Sequence, residues 1–459
     1  MKRKLFLGIF LIFIFVSAAF GQEHHRIPVF DKVLFYDGYN TLEALADVIE
    51  PVPDHITRLS TSLITTKLGN EQLNQIGEYL IMNVVLKAAC DNYDRIGNVN
   101  LALVPKGQEE YIPGQTVRLE LGRFITPFMN KNRNPDTVPY RFEVNHLISI
   151  LKDRRLNAEY DFWLELNIFG VPYSANSQVA GCSGRNDVFY GTVFFETGNN
   201  PVPLQDDNVL IPLLMKAPFN NYQPGATDVP GLTIRNIEFS VGEDLTNAKF
   251  YLIVSSHGAQ TNGEEYNRRI HYVRFDGDPF LHFKPGRATC EPFRVYNTMP
   301  NQIYGLSPRP ASSWQSFSNW CPGDVIDNRI IDVGPVNAGN HTLTIEVEEA
   351  VFNGDNGPGT NGNIPLSLFL LGTTGEYIHT DDYTVSPEYI MVYPNPASSF
   401  LTISASHAIE SVKLFNPAGQ VVYTGNNSIA RIDHLSPGIY FVNILLENGY
   451  NSTHKIIKR

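Results

Sequence analysis

The stretch Cys90-Asp91-Asn92-Tyr93-Asp94-Arg95 lies between two apolar runs of strand length, Tyr79–Leu86 and Val99–Val104. Side chains alternate across a strand, so an extended reading turns Asp91 and Tyr93 to one face and Asn92 and Asp94 to the other. Charge beside an apolar strand is costly unless it is paired or used. Asp94 is therefore the first candidate for chemistry. Similar β-rich runs recur outward from this point, at Thr116–Thr126, Asp161–Phe169, Asp187–Glu196, Leu232–Val241, Lys249–Ser255, His271–Phe275 and His341–Val347, broken by Gly, Pro, Asn and Asp. Short strands at this spacing predict an all-β sandwich or jelly roll, two of them in series.

Few segments carry helical periodicity. Short helices are expected at Thr41–Val48 and Val144–Leu151, and Leu73–Val85 fits either helix or strand. Gly198–Asn208 reads as an interdomain connection, and Asn353–Asn363 as a Gly/Asn-rich turn inside the second sandwich. The pattern loosens over Thr373–Ser386, and a separate small unit follows.

The length of 459 residues predicts two to four domains. A net charge of −12 argues against a nucleic-acid partner, which calls for a basic stripe. Residues 1–21 read as a secretory signal: Lys2, Arg3 and Lys4, then an apolar run from Leu5 to Ala18, then Ala19-Phe20-Gly21. That run is short for a membrane span, and no later segment is long and apolar enough to be one. The four cysteines, Cys90, Cys182, Cys290 and Cys321, are even in number, which in an exported protein favours disulfides. They allow three pairings, and none forms a CxxC zinc motif.

At the end of the chain, Tyr393-Pro394-Asn395-Pro396 is followed by Val412–Gln420, by Leu435-Ser436-Pro437-Gly438-Ile439-Tyr440-Phe441-Val442, and by the basic Lys455-Ile456-Ile457-Lys458-Arg459. Alternating Val412 and Leu414, then Val421 and Tyr423, with turn glycines at Gly419, Gly438 and Gly449, predict a small antiparallel sandwich. In their order these motifs make residues 390–459 resemble the C-terminal sorting domain of type IX secretion cargo. The resemblance implies export across the outer membrane by the type IX machinery, with the domain then removed.

Three acidic clusters precede it: Asp91 with Asp94, Glu165 within Trp163–Asn167, and Glu264 with Glu265. Paired carboxylates suit hydrolysis of an unreactive bond, one activating water and the other managing charge. Taken singly, an acid in a strand is more often solvated or ion-paired. The motifs around the acids are more specific. Phe30-Asp31-Lys32-Val33, Cys90–Arg95, Gly122-Arg123-Phe124-Ile125-Thr126-Pro127-Phe128, Glu265-Tyr266 with Arg269 and His271, and Trp320-Cys321-Pro322-Gly323 with Arg329, Ile330, Asp332 and Val333 follow one another in order. On these motifs, residues 27–378 resemble the peptide-N-glycosidase F family.

The resemblance implies two eight-stranded antiparallel jelly rolls side by side, with the active site in the cleft between them. The expected domains are a signal at 1–21, jelly rolls at 27–203 and 204–378, and the sorting sandwich at 388–459. Asp94, Glu265 and Glu165 are the expected catalytic acids, and Arg95, Tyr93 and Arg269 the expected substrate-binding residues. Asp91 is expected to be structural. The implied activity is that of a secreted monomeric amidase cleaving the GlcNAc–asparagine bond of N-glycoproteins or glycopeptides, without metal or cofactor. Cys290 with Cys321 matches a family disulfide, leaving Cys90 and Cys182 to bridge each other.

The chain also departs from the family. Val85, Gly263 and Asn267 stand at cysteine positions, Asn167 stands for a tryptophan, an arginine is missing near Gln315–Phe317, and the loop at Ser255–Gly258 is changed. These changes motivate the alternative of a non-catalytic surface glycan-binding protein, against which the retention of both Asp94 and Glu265 counts. His257, His271 and His282 lack a His-x-His pair, so metal binding is not expected. No Ser/His/Asp arrangement is readable around Ser312-Ser313. Trp163, Trp314 and Trp320 suggest a sugar platform, with core the better reading for Trp163 and Trp320.

Overall fold

The computed structural model describes residues 24–219, 233–258, 263–299, 307, 310–314, 318–348, 350, 364–374, 390–393, 397–405, 408–447 and 451–459. The signal segment, the Asn353–Asn363 turn and nearly all of Thr373–Ser386 lie outside the described residues. The chain divides into two compact units, Met1–Glu376 and Tyr377–Arg459.

In the first unit, nine strands come first: β1 (His24–Tyr36), β2 (Thr57–Ser60), β3 (Leu63–Lys67), β4 (Leu80–Ala88), β5 (Ile96–Pro105), β6 (Val117–Ile125), β7 (Thr137–Glu143), β8 (Tyr160–Ile168) and β9 (Asp187–Gly198). They form two antiparallel sheets, ordered β1-β9-β4-β7 and β6-β5-β8-β3-β2. β4 is buried at every second residue, and Leu80, Met82, Val84 and Leu86 meet Leu101, Leu103, Leu164 and Leu166 of the other sheet in one core. Strand alternation delivers these side chains to one side, and their burial drives the two sheets together.

A second set follows: β10 (Asn208–Pro218), β11 (Thr233–Val241), β12 (Leu245–Val254), β13 (His271–Phe275), β14 (Asp278–Phe283), β15 (Val325–Ile326), β16 (Arg329–Val336), β17 (Gly339–Val347) and β18 (Pro365–Thr373). Its sheets run β10-β18-β12-β16 and β11-β17-β13-β14 around a separate core that includes Phe250, Leu252, Leu343 and Ile345. β15 alone crosses over, pairing with β6 of the first set. The protein is thus all-β with antiparallel sheets. The short helices are α1 (Asn70–Asn74), α2 (His146–Leu151), α3 (Arg154–Glu159) and α4 (Tyr173–Gln178).

Three local expectations resolve differently. Thr41–Val48 is a succession of turns, because its N–H groups bond a mixture of three and four residues back and no helix is sustained. Leu73–Val85 divides between α1 and β4, with Gly77 in the gap, where a Cβ would lie 2.3 Å from the Gly198 carbonyl oxygen. Cys90–Arg95 is a loop rather than a strand. The Asp91 carboxylate accepts the N–H groups of Tyr93 at 2.9 Å and Val171 at 2.7 Å, and this side-chain capture turns the backbone out of the sheet.

The two sandwiches meet at the outer face of β6, through buried charge. Arg123 and Glu120 are fully buried and make a two-pronged pair at 2.8 and 2.7 Å. The remaining guanidinium nitrogen of Arg123, Nη1, donates to Ser255 Oγ at 2.7 Å and to the Pro365 carbonyl at 2.8 Å, both in the second sandwich. Ser367 donates to Glu120 from the same side. Burial alone works to raise the Glu120 carboxyl, but the Arg123 charge and these bonds outweigh it and hold it below its usual range.

The C-terminal unit holds β19 (Ile390–Tyr393), β20 (Phe400–Ala405), β21 (Ile409–Phe415), β22 (Val421–Gly425), β23 (Ile429–Arg431), β24 (Gly438–Leu446) and β25 (Asn451–Lys458), in sheets β19-β20-β23 and β22-β21-β24-β25. Leu401, Val412, Leu414, Val442 and Ile444 are among its core residues. The Asn416–Gln420 turn is closed by the Asn416 side chain, which accepts N–H bonds from Ala418 and Gln420, with Gly419 at φ +80°.

Removing one partner of a fully buried pair leaves the other charge uncompensated. Arg123→Ala is accordingly expected to destabilise the first unit by about 3–5 kcal/mol. The midpoint of urea denaturation followed by tryptophan fluorescence measures this.

Candidate active site

Asp94 sits at the mouth of β5, two residues before the first strand position, Ile96. The loop that carries it is clamped to Thr126. Arg95 N–H donates to Thr126 Oγ1 at 2.7 Å, Thr126 Oγ1 donates to the Tyr93 carbonyl at 2.9 Å, and Thr126 N–H donates to the Arg95 carbonyl at 2.8 Å. The Cys90–Arg95 and Gly122–Phe128 motifs are therefore parts of one structure. The Cys90–Cys182 disulfide anchors the loop's start.

From Thr126 the scaffold continues into the second half of the unit. Ile125 N–H donates to the Asp324 carbonyl and Gly323 N–H to the Ile125 carbonyl, both at 3.0 Å. Phe128 N–H donates to Asn297 Oδ1 at 2.9 Å, and Asn297 Nδ2 reaches the Pro322 carbonyl at 2.9 Å. The Cys290–Cys321 disulfide ties these two segments together. The Trp320–Gly323 motif thus lies against the first sandwich. The residues just before it, Ser318 and Asn319, hydrogen-bond the Glu265 carbonyl, and Asn319 Nδ2 also reaches the Glu264 carbonyl at 2.8 Å. Glu265 N–H donates to the Gly258 carbonyl at 3.3 Å, and Gly258 N–H donates back to the Glu265 carboxylate at 3.3 Å. A continuous set of hydrogen bonds runs from the loop of Asp94 to that of Glu265.

The two carboxyl groups feel each other. Asp94 is pushed up to about 7, chiefly by loss of hydration and next by the Glu265 charge, against the opposing charge of Arg95. Glu265 is also raised by burial, opposed by hydrogen bonds from Tyr266 and from the Gly258 backbone. Such shifts concentrate where carboxyl groups do chemistry, although ion-pair networks produce them as well.

Each of these two acids has a neighbour neutralised by arginine. Asp91 is buried and bound by Arg95, with Nε at 2.7 Å from Oδ2. Glu264 is buried and bound by Arg269 at 2.6 and 3.0 Å. Arg269 is thus engaged with Glu264 beside the site, and Arg95 braces Asp91 while its charge reaches Asp94. Tyr93 is half-buried, edge-on to Phe128 at 5.9 Å, with the Arg95 guanidinium 5.2 Å from its ring centre.

Glu165, the third expected acid, is enclosed by partners within its sheet. It lies in the middle of β8 opposite Asn100, four residues and about 13 Å along β5 from Ile96. It is fully buried, and its carboxylate is taken up by Arg118 at 2.5 Å, Asn100 at 2.8 Å and Tyr111 at 2.9 Å. The alternating pattern that suggested a site face places it on the outer face of the sheet, where arginine and amide partners enclose it.

Sequence reasoning quoted Thr126 only as part of a motif and passed over Asn297, Ser318, Asn319 and Asp324, which with Thr126 hold the site's backbone. Proximity to the Gly122–Phe128 and Trp320–Gly323 motifs was the only signal for them. His257 is buried, pushed down to about 3 by burial and then by Arg123, bonded to Ser255 at 2.7 Å and stacked on Trp320. His271 stacks on Phe283 at 4.8 Å, and His282 pairs across the strand with Tyr272. Among the described residues no three metal-ligating side chains cluster.

Comparison with known proteins gives three family matches. The model described as peptide-N-glycosidase F, N terminal, matches residues 26–183, and peptide-N-glycosidase F, C terminal, matches residues 230–371. A secretion system C-terminal sorting domain matches residues 391–459, which marks the chain for type IX secretion to the outer membrane or beyond it. No curated protein matches. Among solved structures, PNGF-II in its C2 crystal form is 20% identical, with 78% of this chain and 66% of that one covered and a TM-score of 0.54. Its P21 form is 19% identical, with 76% and 65% covered and a TM-score of 0.53. PNGase F from Flavobacterium meningosepticum is 16% identical, with 77% and 96% covered and a TM-score of 0.46. The chain thus spans about two thirds of the length of PNGF-II, and the likeness to it is one of fold. With both family models matched in order across the paired sandwiches, the chain belongs to the peptide-N-glycosidase F family.

Proposed function

We propose that this protein is a secreted amidase that hydrolyses the bond between N-acetylglucosamine and the asparagine side chain of N-glycoproteins or glycopeptides. The supporting observation is the Asp94–Glu265 pair: two part-exposed carboxyl groups from the two sandwiches, close enough that one charge shifts the other. An amide resists water unless the water is deprotonated and the developing charges are managed. At neutral pH Asp94 is poised between its two forms, which suits a group that takes a proton and later returns it.

In this reading the Asp94 carboxylate removes a proton from water as the oxygen attacks the asparagine side-chain carbonyl. The tetrahedral intermediate then collapses with cleavage of the carbon–nitrogen bond, and Asp94 returns the proton to the departing glycosylamine. The products are an aspartate-containing peptide and the glycan as its amine. Glu265, fixed by Gly258 and Tyr266, orients water or balances the charge that develops. Arg95 and Tyr93 form the wall beside Asp94, and Arg269 acts through Glu264 by fixing the opposite loop. Both acids come from one chain, so a monomer suffices, and no step calls for a metal or cofactor. A glycan-binding protein without turnover would need only one polar wall, and the coupled acids favour the amidase.

The test is incubation of the purified protein with a denatured N-glycoprotein, reading free glycan together with the Asn-to-Asp mass change. Asp94→Asn is expected to lower release by about 10²–10⁴-fold. Activity within a few-fold of the wild type in that variant removes Asp94 from this role. Glycan that binds but is never released, at any pH, establishes the glycan-binding alternative instead.

The pH profile gives a second check. If ionised Asp94 is the base, kcat/KM rises with pH through a limb near about 7. The Glu265 charge helps lift Asp94, so Glu265→Gln moves that limb to lower pH, whatever it does to the maximum rate. Stability follows by linkage. Between the usual value of 3.8 and about 7 the folded protein keeps a proton that the unfolded chain gives up, so this group's contribution falls as pH rises through that window. Asp94→Asn is therefore expected to raise Tm by about 2–4 °C at pH 8 and to change it little at pH 4, measured by calorimetry.

A further inference from the structure

The Glu265 loop is tied to the joint between the sandwiches by the residues Ser255–Gly258. Gly258 donates its N–H to the Glu265 carboxylate at 3.3 Å, a length at which a small displacement decides whether the bond is made. It sits at φ +105°, where glycine's freedom leaves its placement to the residues before it. Those residues are buried and firmly held. Ser255 Oγ accepts Arg123 Nη1 at 2.7 Å, and the same guanidinium is locked on Glu120. The Ser256 carbonyl accepts the Trp320 indole N–H at 3.1 Å. The His257 ring stacks on Trp320 with centres 5.9 Å apart, and its Nε2 lies 2.7 Å from Ser255 Oγ.

The direction of the last bond follows from its partners. A guanidinium only donates, so Ser255 Oγ accepts from Arg123 and keeps its own proton to give. Among the described residues the acceptor at hand is His257 Nε2. The ring is therefore the neutral tautomer that carries its proton on Nδ1, assigned from the bonding pattern. Burial and then the Arg123 charge push it down to about 3, in agreement. With Nε2 occupied and the ring uncharged, His257 is not a proton carrier for Asp94 or Glu265. It is a rigid link in a chain of directed bonds, Glu120–Arg123–Ser255–His257, that ends one residue before Gly258.

We propose that Ser255 and His257 are positioning residues for Glu265. They carry the fixed geometry of the Glu120–Arg123 pair to the Gly258 N–H, and so set how close the Glu265 carboxylate stands to Asp94. At this joint the first sandwich, which bears Asp94, is bonded to the second, which bears Glu265. A link from the joint to Gly258 makes the separation of the two acids follow that fixed point. On the opposite side Ser318 and Asn319 hold the Glu265 carbonyl next to Trp320, so both grips on Glu265 meet at one ring. The charges that act on Asp94 are those of Glu265, Arg95 and Asp91, the last two on its own loop. Glu265 is faced by Tyr266 and the Gly258 backbone, and His257 by Arg123. Glu265 is thus the route by which a change at His257 reaches Asp94. The effect on rate rests on the amidase reading, whereas the effect on Asp94 is measurable without turnover.

The experiment uses the full chain with Ser255→Ala, His257→Leu and His257→Gln, the last keeping an acceptor near the position of Nε2. Asp94 is titrated by carboxyl-carbon NMR, its signal identified by its loss in Asp94→Asn, and kcat/KM for a glycopeptide is followed against pH. Freeing Gly258 lets Glu265 retreat and removes a bond that favours its charged form, and both effects weaken the repulsion that raises Asp94. Ser255→Ala and His257→Leu are expected to move the Asp94 titration down by about half a unit and to lower kcat/KM by about 10- to 100-fold. His257→Gln recovers most of both. In the Glu265→Gln background neither change moves Asp94 further. Thermal unfolding is recorded for each protein. If His257→Leu does not fold, Ser255→Ala, which leaves Arg123 bonded to Glu120 and Pro365, answers in its place. An Asp94 titration that stays put in the folded variants overturns the proposal even where activity falls, because a merely structural role gives that result. A shift of equal size in the Glu265→Gln background overturns it as well. The expected shift in a protein that releases no glycan at any pH leaves the positioning role standing and overturns the amidase reading alone.

Discussion

Two carboxyl groups that repel one another and have lost hydration do not stay together unless the chain holds them there. Around Asp94 and Glu265 that holding is done mainly by backbone. The Thr126 clamp fixes one loop, the Ser318–Asn319 clamp fixes the other, and the paired segments around Ile125 and Asp324 join the clamps. Main-chain bonds of this kind impose a position without supplying a charge that would relax the acids. The raised Asp94 reflects its loss of hydration and the Glu265 charge that this frame keeps near it.

The arginines complete that frame. In each loop an acid near the exposed one is buried against an arginine, Asp91 with Arg95 and Glu264 with Arg269. The buried acid is matched to its guanidinium, and in Asp91 to two backbone N–H groups as well, while the half-buried acid is left without a full counter-ion. Division of labour between adjacent carboxylates lets one loop be both firmly folded and chemically unsettled. The same principle, in a more extreme form, operates between the sandwiches, where Arg123 and Glu120 bring charge into the interior and meet Ser255, Pro365 and Ser367.

Much of the fold was legible. His271–Phe275 is a strand with the bounds read from sequence, and the runs at Val99–Val104, Asp187–Glu196 and His341–Val347 each lie within an observed strand. β-branched and aromatic runs between turn residues carry a local signal. β2 and β15, of four and two residues, carry almost none, because only their partners make them strands. The site divides in the same way. Asp94 stood out because charge in apolar surroundings needs a reason, and Glu265 through the acidic pair and motif that carry it; their roles are the proposal made above. Glu165 stood out for the same cause and proved to be internally paired, since alternation identifies a face without saying what covers it.

β15 makes the two halves depend on each other in time. The β6 edge that Val325 and Ile326 cover lies roughly 200 residues upstream of them. A chain emerging from its N-terminus can assemble the first sandwich's core, yet it carries an open strand edge until the second sandwich is almost complete. Open edges invite pairing with other chains. The N-terminal sandwich expressed alone would thus be the more aggregation-prone fragment, and the cleft would be assembled only in the last stage of folding.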